Sequence, residues 1–338
     1  MVLGLALGLA GLAGCVSAAA SAKPGPSPAA RRPERTPAHT QNLGPIGAAN
    51  AERVTKIWEA AAGGFGRAVA VSHALRRVAY SSGPDVLVFD LKQGQRQPKV
   101  KGACSNVVRG GLAYVGDRLI VVCENAAQTV AGSDPAAHEL PIAASPVTAA
   151  AFAGNHLVIG HHDGVVRLYP VQGGTPTEIP VPGPPIDVKS LALSPDGQRV
   201  AVAWIQGSIW WWDVSQPSVP HRLVRHPSES DTVAFSADGQ MFAEEGATNT
   251  TSIWSFVGKP TLKRKIRNGS WLKRLRFTRD AKWLVRGGSD GLELAEVDGP
   301  RRVVLDTRGS VEDVALDEHG ATIAAVDRDG RLTVWAPR

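Results

Sequence analysis

Residues 191–213 read LALSPDGQRVAVAWIQGSIWWWD and contain the clearest pattern in the chain. Apolar side chains alternate with small or polar ones over 191–193, 199–203 and 207–213, and the turn-forming sequence SPDG occupies 194–197. A period of two indicates β-strands, and Asp-Gly suits tight turns that need a positive φ. The stretch therefore predicts short antiparallel strands joined by tight turns.

The same unit recurs along the chain, and we number its copies as repeats 1–7. The other copies begin near VAVSHA (69–74), LAYVGD (112–117), AAFAGN (150–155), VAFSADG (233–239), LRFTRDA (275–281) and VALDEHG (314–320). Their third strands end at Phe89, Val130, Tyr169, Trp212, Trp254, Glu296 and Trp335, at spacings of 39 to 43 residues. That period fits four short strands per repeat.

The repeat pattern resembles the WD-repeat family. Trp212-Asp213 is the dipeptide that names this family. The resemblance implies an all-β fold, a seven-bladed β-propeller of four-stranded blades over residues 51–338. The Gly-His pair that the family carries before each first strand is absent, so its His–Asp hydrogen-bond network is not expected here.

A closed ring needs an outer strand for repeat 7, which has only three strands after residue 311. Residues 53–59 read RVTKIWE and are predicted to supply that strand from the N-terminal side. A short helix is the alternative, since Val54, Ile57, Trp58 and Ala61 share one helical face.

The N-terminus has the pattern of an export signal. Residues 2–14 contain only Val, Leu, Ala and Gly, and Cys15 follows, although no basic residue precedes the apolar run. LAGC at 12–15 resembles the bacterial lipobox, which implies a lipoprotein signal peptide at 1–14 and a lipidated Cys15. The same resemblance implies a lipid-anchored protein of the cell envelope, at the periplasmic face of a Gram-negative outer membrane. Ordinary cleavage near residues 18–20 and an uncleaved anchor are the alternatives.

Residues 15–50 are rich in Ala and Pro and contain almost no large apolar side chain. Such a segment buries too little surface to offset the entropy of ordering, so it is predicted to be a disordered tether. Its mean reach is roughly 30 Å.

Basic residues are concentrated in one stretch. The whole chain of 338 residues has a net charge of +6, whereas residues 259–286 contain 11 Lys and Arg against Asp280 alone. Lys263, Lys265 and Arg267 suit an outer edge strand, where charge prevents aggregation. Protection of an edge does not explain the remaining basic residues, and of these we select Lys273, Arg274, Arg276 and Arg279 as candidates for binding. They predict contact with an acidic protein, an anionic membrane or an envelope polymer, with a merely solvated surface as the alternative.

A second candidate surface is the mouth of the ring, where the first strand of each repeat begins. The rim positions are Arg67, Gly110, Thr148, Lys189, Asp231, Lys273 and Glu312. We select Lys189, Asp231 and Glu312 as further partner-binding residues, because mixed charge suits a protein or peptide. A solvated rim is the alternative.

No residue pattern predicts catalysis, a metal site or a cofactor. His161-His162 and Glu244-Glu245 are strand neighbours, and such neighbours point to opposite faces. Trp210-Trp211-Trp212 is predicted to pack in the core. Cys104 and Cys123 are predicted to form a disulfide in an oxidising compartment, with two buried thiols as the alternative.

Together these patterns predict an envelope-anchored protein–protein interaction scaffold. It would bind an unidentified protein or peptide through the ring mouth and the basic surface of repeat 6. The alternative is a periplasmic propeller enzyme, or a cofactor-binding protein, with its site in the central channel. No nucleic acid partner is expected.

Overall fold

Antiparallel β-strands make up nearly all of the regular secondary structure in the described residues. The computed structural model describes residues 44–338, apart from 62, 64, 99, 101–105, 132–136, 141, 143–144, 183–185, 228, 247–248 and 307. A 3₁₀ helix at Ala51–Arg53 is the only helical element within these residues. None of the described residues belongs to a helix long and apolar enough to cross a lipid bilayer. The predicted all-β class is therefore confirmed.

The strands follow one another as meanders. In the N-terminal half they are β1 (Val54–Ala61); β2 (Val69–Ser72), β3 (Arg77–Ser82), β4 (Asp85–Asp90); β5 (Val107–Val115), β6 (Arg118–Cys123), β7 (Ala127–Ala131), β8 (Ala137–Leu140); β9 (Val147–Ala153), β10 (His156–His161), β11 (Val166–Pro170) and β12 (Thr177–Ile179). Then come β13 (Val188–Leu193), β14 (Arg199–Trp204), β15 (Ser208–Asp213), β16 (His221–Arg225); β17 (Val233–Phe235), β18 (Met241–Gly246), β19 (Thr250–Ser255) and β20 (Thr261–Arg267). The last are β21 (Leu272–Phe277), β22 (Trp283–Gly288), β23 (Gly291–Glu296), β24 (Arg302–Asp306); β25 (Val311–Leu316), β26 (Ile323–Asp327) and β27 (Arg331–Pro337).

Most of these meanders are separate four-stranded sheets. The sheet orders are β13-β14-β15-β16, β17-β18-β19-β20 and β21-β22-β23-β24, while β2-β3-β4 is three-stranded. Isolated bridges from Val86 to Val100 and from Phe89 to Arg96 extend the three-stranded sheet beyond β4. A parallel bridge between Arg109 and Ala149 joins the meanders β5–β8 and β9–β12 into one eight-stranded sheet.

The SPDG turn of repeat 4 shows why these hairpins form. The Ser194 hydroxyl donates to the Asp196 carboxylate at 2.5 Å. The same carboxylate accepts the Gln198 N–H at 3.0 Å. Gly197 has a φ of +71°, a conformation that a Cβ would strain. The turn fixes the register in which Leu193 pairs with Val200, so the strands lie where the sequence predicts.

The N-terminal strand joins the last meander. β1 pairs antiparallel with β27, from Val54 opposite Pro337 to Ala61 opposite Arg331. The resulting sheet order is β1-β27-β26-β25. The indole N–H of Trp58 also donates to the carbonyl of Leu91 at 2.7 Å, beyond the end of β4. Residues 54–61 therefore form the predicted strand, and the helical alternative is wrong for them.

The core consists of apolar layers between neighbouring sheets. Trp283 and Leu292 pack on Val314 and Trp335, which joins β21–β24 to the last meander. Tyr80 in turn packs with residues of β26 and β27, which joins the last meander to β2–β4. Similar layers lie between the intervening pairs of sheets, and Trp212 is fully buried in one of them. Each sheet is therefore covered on both faces.

The ordered domain begins before residue 51. Ile46 is fully buried against Trp283 and Trp335, and its N–H donates to the carbonyl of Gly320 at 2.7 Å. The side chain of Asn50 accepts the N–H of Gly47 at 2.9 Å. The predicted tether is therefore wrong for residues 44–50. One isoleucine in an Ala- and Pro-rich stretch gives no periodic pattern, so its burial left no sign in the sequence.

The cysteines are only partly described. Cys123 is buried at the end of β6 and is disulfide-bonded. Cys15 and Cys104 lie outside the described residues. The pairing of Cys104 with Cys123 stays a prediction, with stabilisation of roughly 3 kcal/mol expected for a loop of this length. Thiol labelling after denaturation without reductant tests it, since two reactive thiols at these positions would contradict the pairing.

Candidate functional site

The strands that begin the repeats, called first strands here, surround a cavity. These are β2, β5, β9, β13, β17, β21 and β25. They contact one another in chain order, and β25 also contacts β2. The cavity between them has a volume of about 570 Å³. This volume is large enough for a small organic ligand or a few side chains of a partner.

Small side chains keep the cavity open. Ala70, Ala149, Ala192 and Ala315 all line it, one from each of four first strands. Gly110 lies on the wall with a φ of +67°, and a Cβ there would come 2.5 Å from the carbonyl oxygen of Ala150. This position, predicted as part of the rim, therefore requires glycine for the close approach of β5 to β9.

Three arginines also line the cavity. Arg274 and Arg276 lie two residues apart on β21, and Arg109 lies on β5. The Arg274 Nε donates to Asp313 Oδ1 at 2.6 Å, and Asp313 Oδ2 accepts the N–H of Val69 at 2.9 Å. Asp313 thereby ties β25 to both β21 and β2.

The arginines affect one another electrostatically. Burial lowers the pKa of Arg109, and the neighbouring positive charge of Arg274 lowers it further. Asp231, Glu312 and Asp313 act in the opposite direction on that pKa. Burial likewise lowers the pKa of Arg276, where Asp313 opposes the effect and Arg274 adds to it. Arg274 therefore acts on both other arginines of the cavity as a like charge.

Ion pairs lie beside the cavity at the beginning of the first strands. Lys189 contacts Glu229 at 2.8 Å and Asp231 at 3.2 Å. Glu312 forms an ion pair with Lys273 and a second with Arg328, the latter at 3.4 Å. The structure thus brings Lys189 to Asp231 and Lys273 to Glu312, as mutually neutralising pairs. We call these residues the mouth charges.

Comparison with known proteins gives one weak similarity. No protein-family profile matches the chain. A segment of 177 residues, 52% of the chain, is 23% identical to telomerase protein component 1 of Rattus norvegicus. The match spans 7% of that protein. The matched segment therefore covers only a small part of this relative.

The predicted basic surface of repeat 6 is not one surface. Arg274 is 4% exposed and Arg276 lines the cavity, whereas Arg279 is exposed on the turn after β21. Lys273 is paired with Glu312. We therefore correct the prediction that these four cations face one anionic partner together. Successive side chains of a strand point to opposite faces, so residues that are close in the sequence of β21 lie in different surroundings.

Acidic residues elsewhere offset much of the local excess of charge. Lys263 contacts Asp298 at 2.9 Å, and the fully buried Arg286 contacts Glu293 at 3.1 Å. Arg264 donates to the carbonyl of Gly299 at 2.6 Å and so holds the turn after β23. Lys263, Lys265 and Arg267 lie exposed on β20, the predicted edge strand.

The neighbouring pairs considered in the sequence have separate partners. His161 Nδ1 lies 2.7 Å from the carbonyl oxygen of Ser145, while His162 Nδ1 lies 2.7 Å from Asp187. Glu244 Oε2 lies 2.9 Å from His226 Nε2. The described residues contain no group of three or more His, Cys, Asp or Glu arranged to hold a metal ion.

Glu245 is a buried carboxyl between two sheets. Burial raises its pKa to about 8, and the negative charge of Asp231 adds to the shift. The Leu272 N–H, which donates to Glu245 Oε1 at 2.7 Å, acts in the opposite direction. Glu245 is therefore protonated in the folded state at pH values at which the unfolded chain has lost this proton.

This shift predicts that stability falls as pH rises. Between the ordinary value of 4.5 and about 8, the folded state binds the additional proton, so the free energy of unfolding decreases with rising pH. The slope reaches roughly 1.4 kcal/mol per pH unit within that window. Glu245→Gln should flatten it, because glutamine keeps an acceptor for Leu272 and does not titrate. Urea unfolding across the window measures the slope. Glu178→Gln, at an exposed position, is the control and should retain the parental slope.

Proposed function

We propose that the chain is a seven-bladed WD-repeat-type β-propeller that serves as a protein–protein interaction scaffold. The observation that carries this proposal is the cyclic order of contacts, in which each first strand meets the next and β25 meets β2. In a propeller, each meander is one blade and its first strand lies nearest the central channel. The apolar layers between successive sheets support the same arrangement.

The proposed ring closes through β1. In this arrangement β1 is the outer strand of the seventh blade, beside β27. Trp58 adds a contact with the first blade through the carbonyl of Leu91. In this arrangement β1 covers the backbone edge of β27, which would otherwise lack an outer partner.

The scaffold role rests on the mouth charges. Lys189 is paired with Glu229 and Asp231, and Glu312 is paired with Lys273 and Arg328. Charges of both signs can recognise a protein or peptide surface of complementary pattern, and they contribute mainly to specificity and encounter rate. The relative described above is named as a protein component, which is a part of an assembly, and we extend binding of other proteins to this chain.

Replacing both residues of an ion pair by neutral ones tests this role. The variant Lys189→Gln/Glu229→Gln neutralises one mouth pair, while Lys263→Gln/Asp298→Asn neutralises an exposed pair between the edge strand β20 and the turn after β23. Partners captured with the full chain from its native cells should be lost with the mouth variant and retained with the edge variant. Equal capture by both folded variants would contradict binding at the mouth. Co-purification of a chromophore with the parent chain would instead favour an enzyme or a cofactor-binding protein.

We also propose that the protein is anchored to the cell envelope through Cys15. The apolar run at residues 2–14 and the LAGC sequence support this placement. Cys15→Ala should release the protein from the membrane fraction or stall its processing. A mature N-terminus near residue 21 without lipid, identified by mass spectrometry, would contradict it.

A further inference from the structure

The cavity contains more positive charge than its own residues neutralise. Arg109, Arg274 and Arg276 all line it. The Arg274 guanidinium contacts Asp313, and the second oxygen of that carboxylate is occupied by the N–H of Val69. Asp231 and Glu312 also act electrostatically on Arg109, but they are paired with Lys189, Lys273 and Arg328. Asp317 and Glu318 also line the cavity, but Glu318 accepts the N–H groups of His73 and Ala74, and Asp317 accepts that of Ala321. Among the described residues, the carboxylate that contacts one of the three guanidinium groups is therefore that of Asp313.

Two of these guanidinium groups have unused donors. Within the described part of the chain, Arg109 Nη1 and Arg274 Nη2 are buried and have no hydrogen-bond partner. Arg274 as a whole is only 4% exposed. A buried charged donor without an acceptor is strongly unfavourable, so such donors usually meet an anion or water. Arginine is suited to that role because its planar fork matches the oxygens of carboxylate and phosphate.

The shape of the cavity suits a bound anion. Its volume of about 570 Å³ exceeds that of a single ion. Arg109 reaches it from β5 and the other two arginines from β21, so the donors converge from different parts of the wall. The alanines on the remaining first strands leave the space between them open.

We propose that the cavity binds a small oxyanion, a carboxylate or a phosphate group, between Arg109, Arg274 and Arg276. Arg274 is positioned by Asp313 and presents its free Nη2. Arg109 presents its free Nη1, and Arg276 contributes its charge. The site uses arginines inside the cavity, whereas the partner-binding role proposed above uses the mouth charges.

The test is a titration of the full chain with two probes, inorganic phosphate and succinate. Calorimetry should detect one site for at least one probe, with an affinity that falls as salt is added. Arg276→Gln and Arg109→Gln should each weaken binding by at least about tenfold, the loss expected for a charge-assisted hydrogen bond. Arg279→Gln removes an exposed arginine outside the cavity and should bind like the parent. Preference for phosphate or succinate identifies which oxyanion the site selects.

The melting temperature gives a second readout. Without added anion, Arg276→Gln should melt no lower than the parent, since it relieves repulsion between like charges. The bound probe should raise the melting temperature of the parent more than that of Arg276→Gln. The proposal is overturned if neither probe binds at millimolar concentration. It is equally overturned if both cavity variants, once folded, bind like Arg279→Gln.

Discussion

A chain that begins at residue 63 is expected to lose cooperative unfolding and to aggregate. Without β1, the backbone of β27 loses its outer partner along its whole length. Ile57 and Trp58 no longer cover the layer around Phe89, and Ile46 and Val54 no longer cover the layer around Trp335. Each large apolar side chain contributes roughly 1.5–3 kcal/mol when buried. Their joint loss is comparable with the whole stability of a typical domain.

A chain that begins at residue 44 is the matched control for this truncation. It keeps Ile46 and β1 and should therefore melt like the parent. Circular dichroism during thermal and urea unfolding, together with size-exclusion chromatography, distinguishes the two. If both truncated chains unfold alike, pairing of β1 with β27 does not stabilise the domain.

The second large effect is expected from Asp313→Asn. Asparagine has nearly the same shape and can still accept the N–H of Val69, so the change removes mainly the charge that faces Arg274. Breaking a buried ion pair in this way typically costs about 3–5 kcal/mol, because the remaining charge is buried without compensation. Denaturant unfolding measures the loss.

Two further variants separate that effect from a general loss of charge. Asp298→Asn removes the partner of Lys263 in an exposed pair and should cost less than about 1 kcal/mol. Adding Arg274→Met to Asp313→Asn removes the uncompensated charge and should recover part of the stability. An Asp313→Asn protein as stable as Asp298→Asn would contradict the role of Asp313 in the cavity.

The strands could be predicted from the sequence because each depends on residues that are close to it in the chain. SPDG specifies a turn through its own side chains, and alternation places Trp212 in the core. Even Glu296, which departs from the aromatic pattern, ends a strand, because the alternation before it is intact. The burial of Ile46 was missed, because it depends on residues far away in the chain.

The ion pairs were missed for a different reason. Arg274 pairs with Asp313 and Lys273 with Glu312, in both cases across 39 residues. Lys189 and Glu229 pair across 40. These separations equal one repeat, because equivalent positions of successive first strands lie side by side. Counting the charges within residues 259–286 therefore suggested an anionic partner. Comparing each charged residue with the residue one repeat further along the chain would have indicated the ion pairs.

Pairing of β1 with β27 also means that folding of the domain cannot finish before its last strand has been synthesised. Val54 is among the first described residues to be synthesised, and its partner Pro337 is among the last. At ordinary rates of translation, roughly 15–55 seconds separate them. Throughout that interval β1 has no partner, so chaperones that hold the growing chain open would protect it. The final step joins the two most distant strands, a long loop closure that is slow by nature.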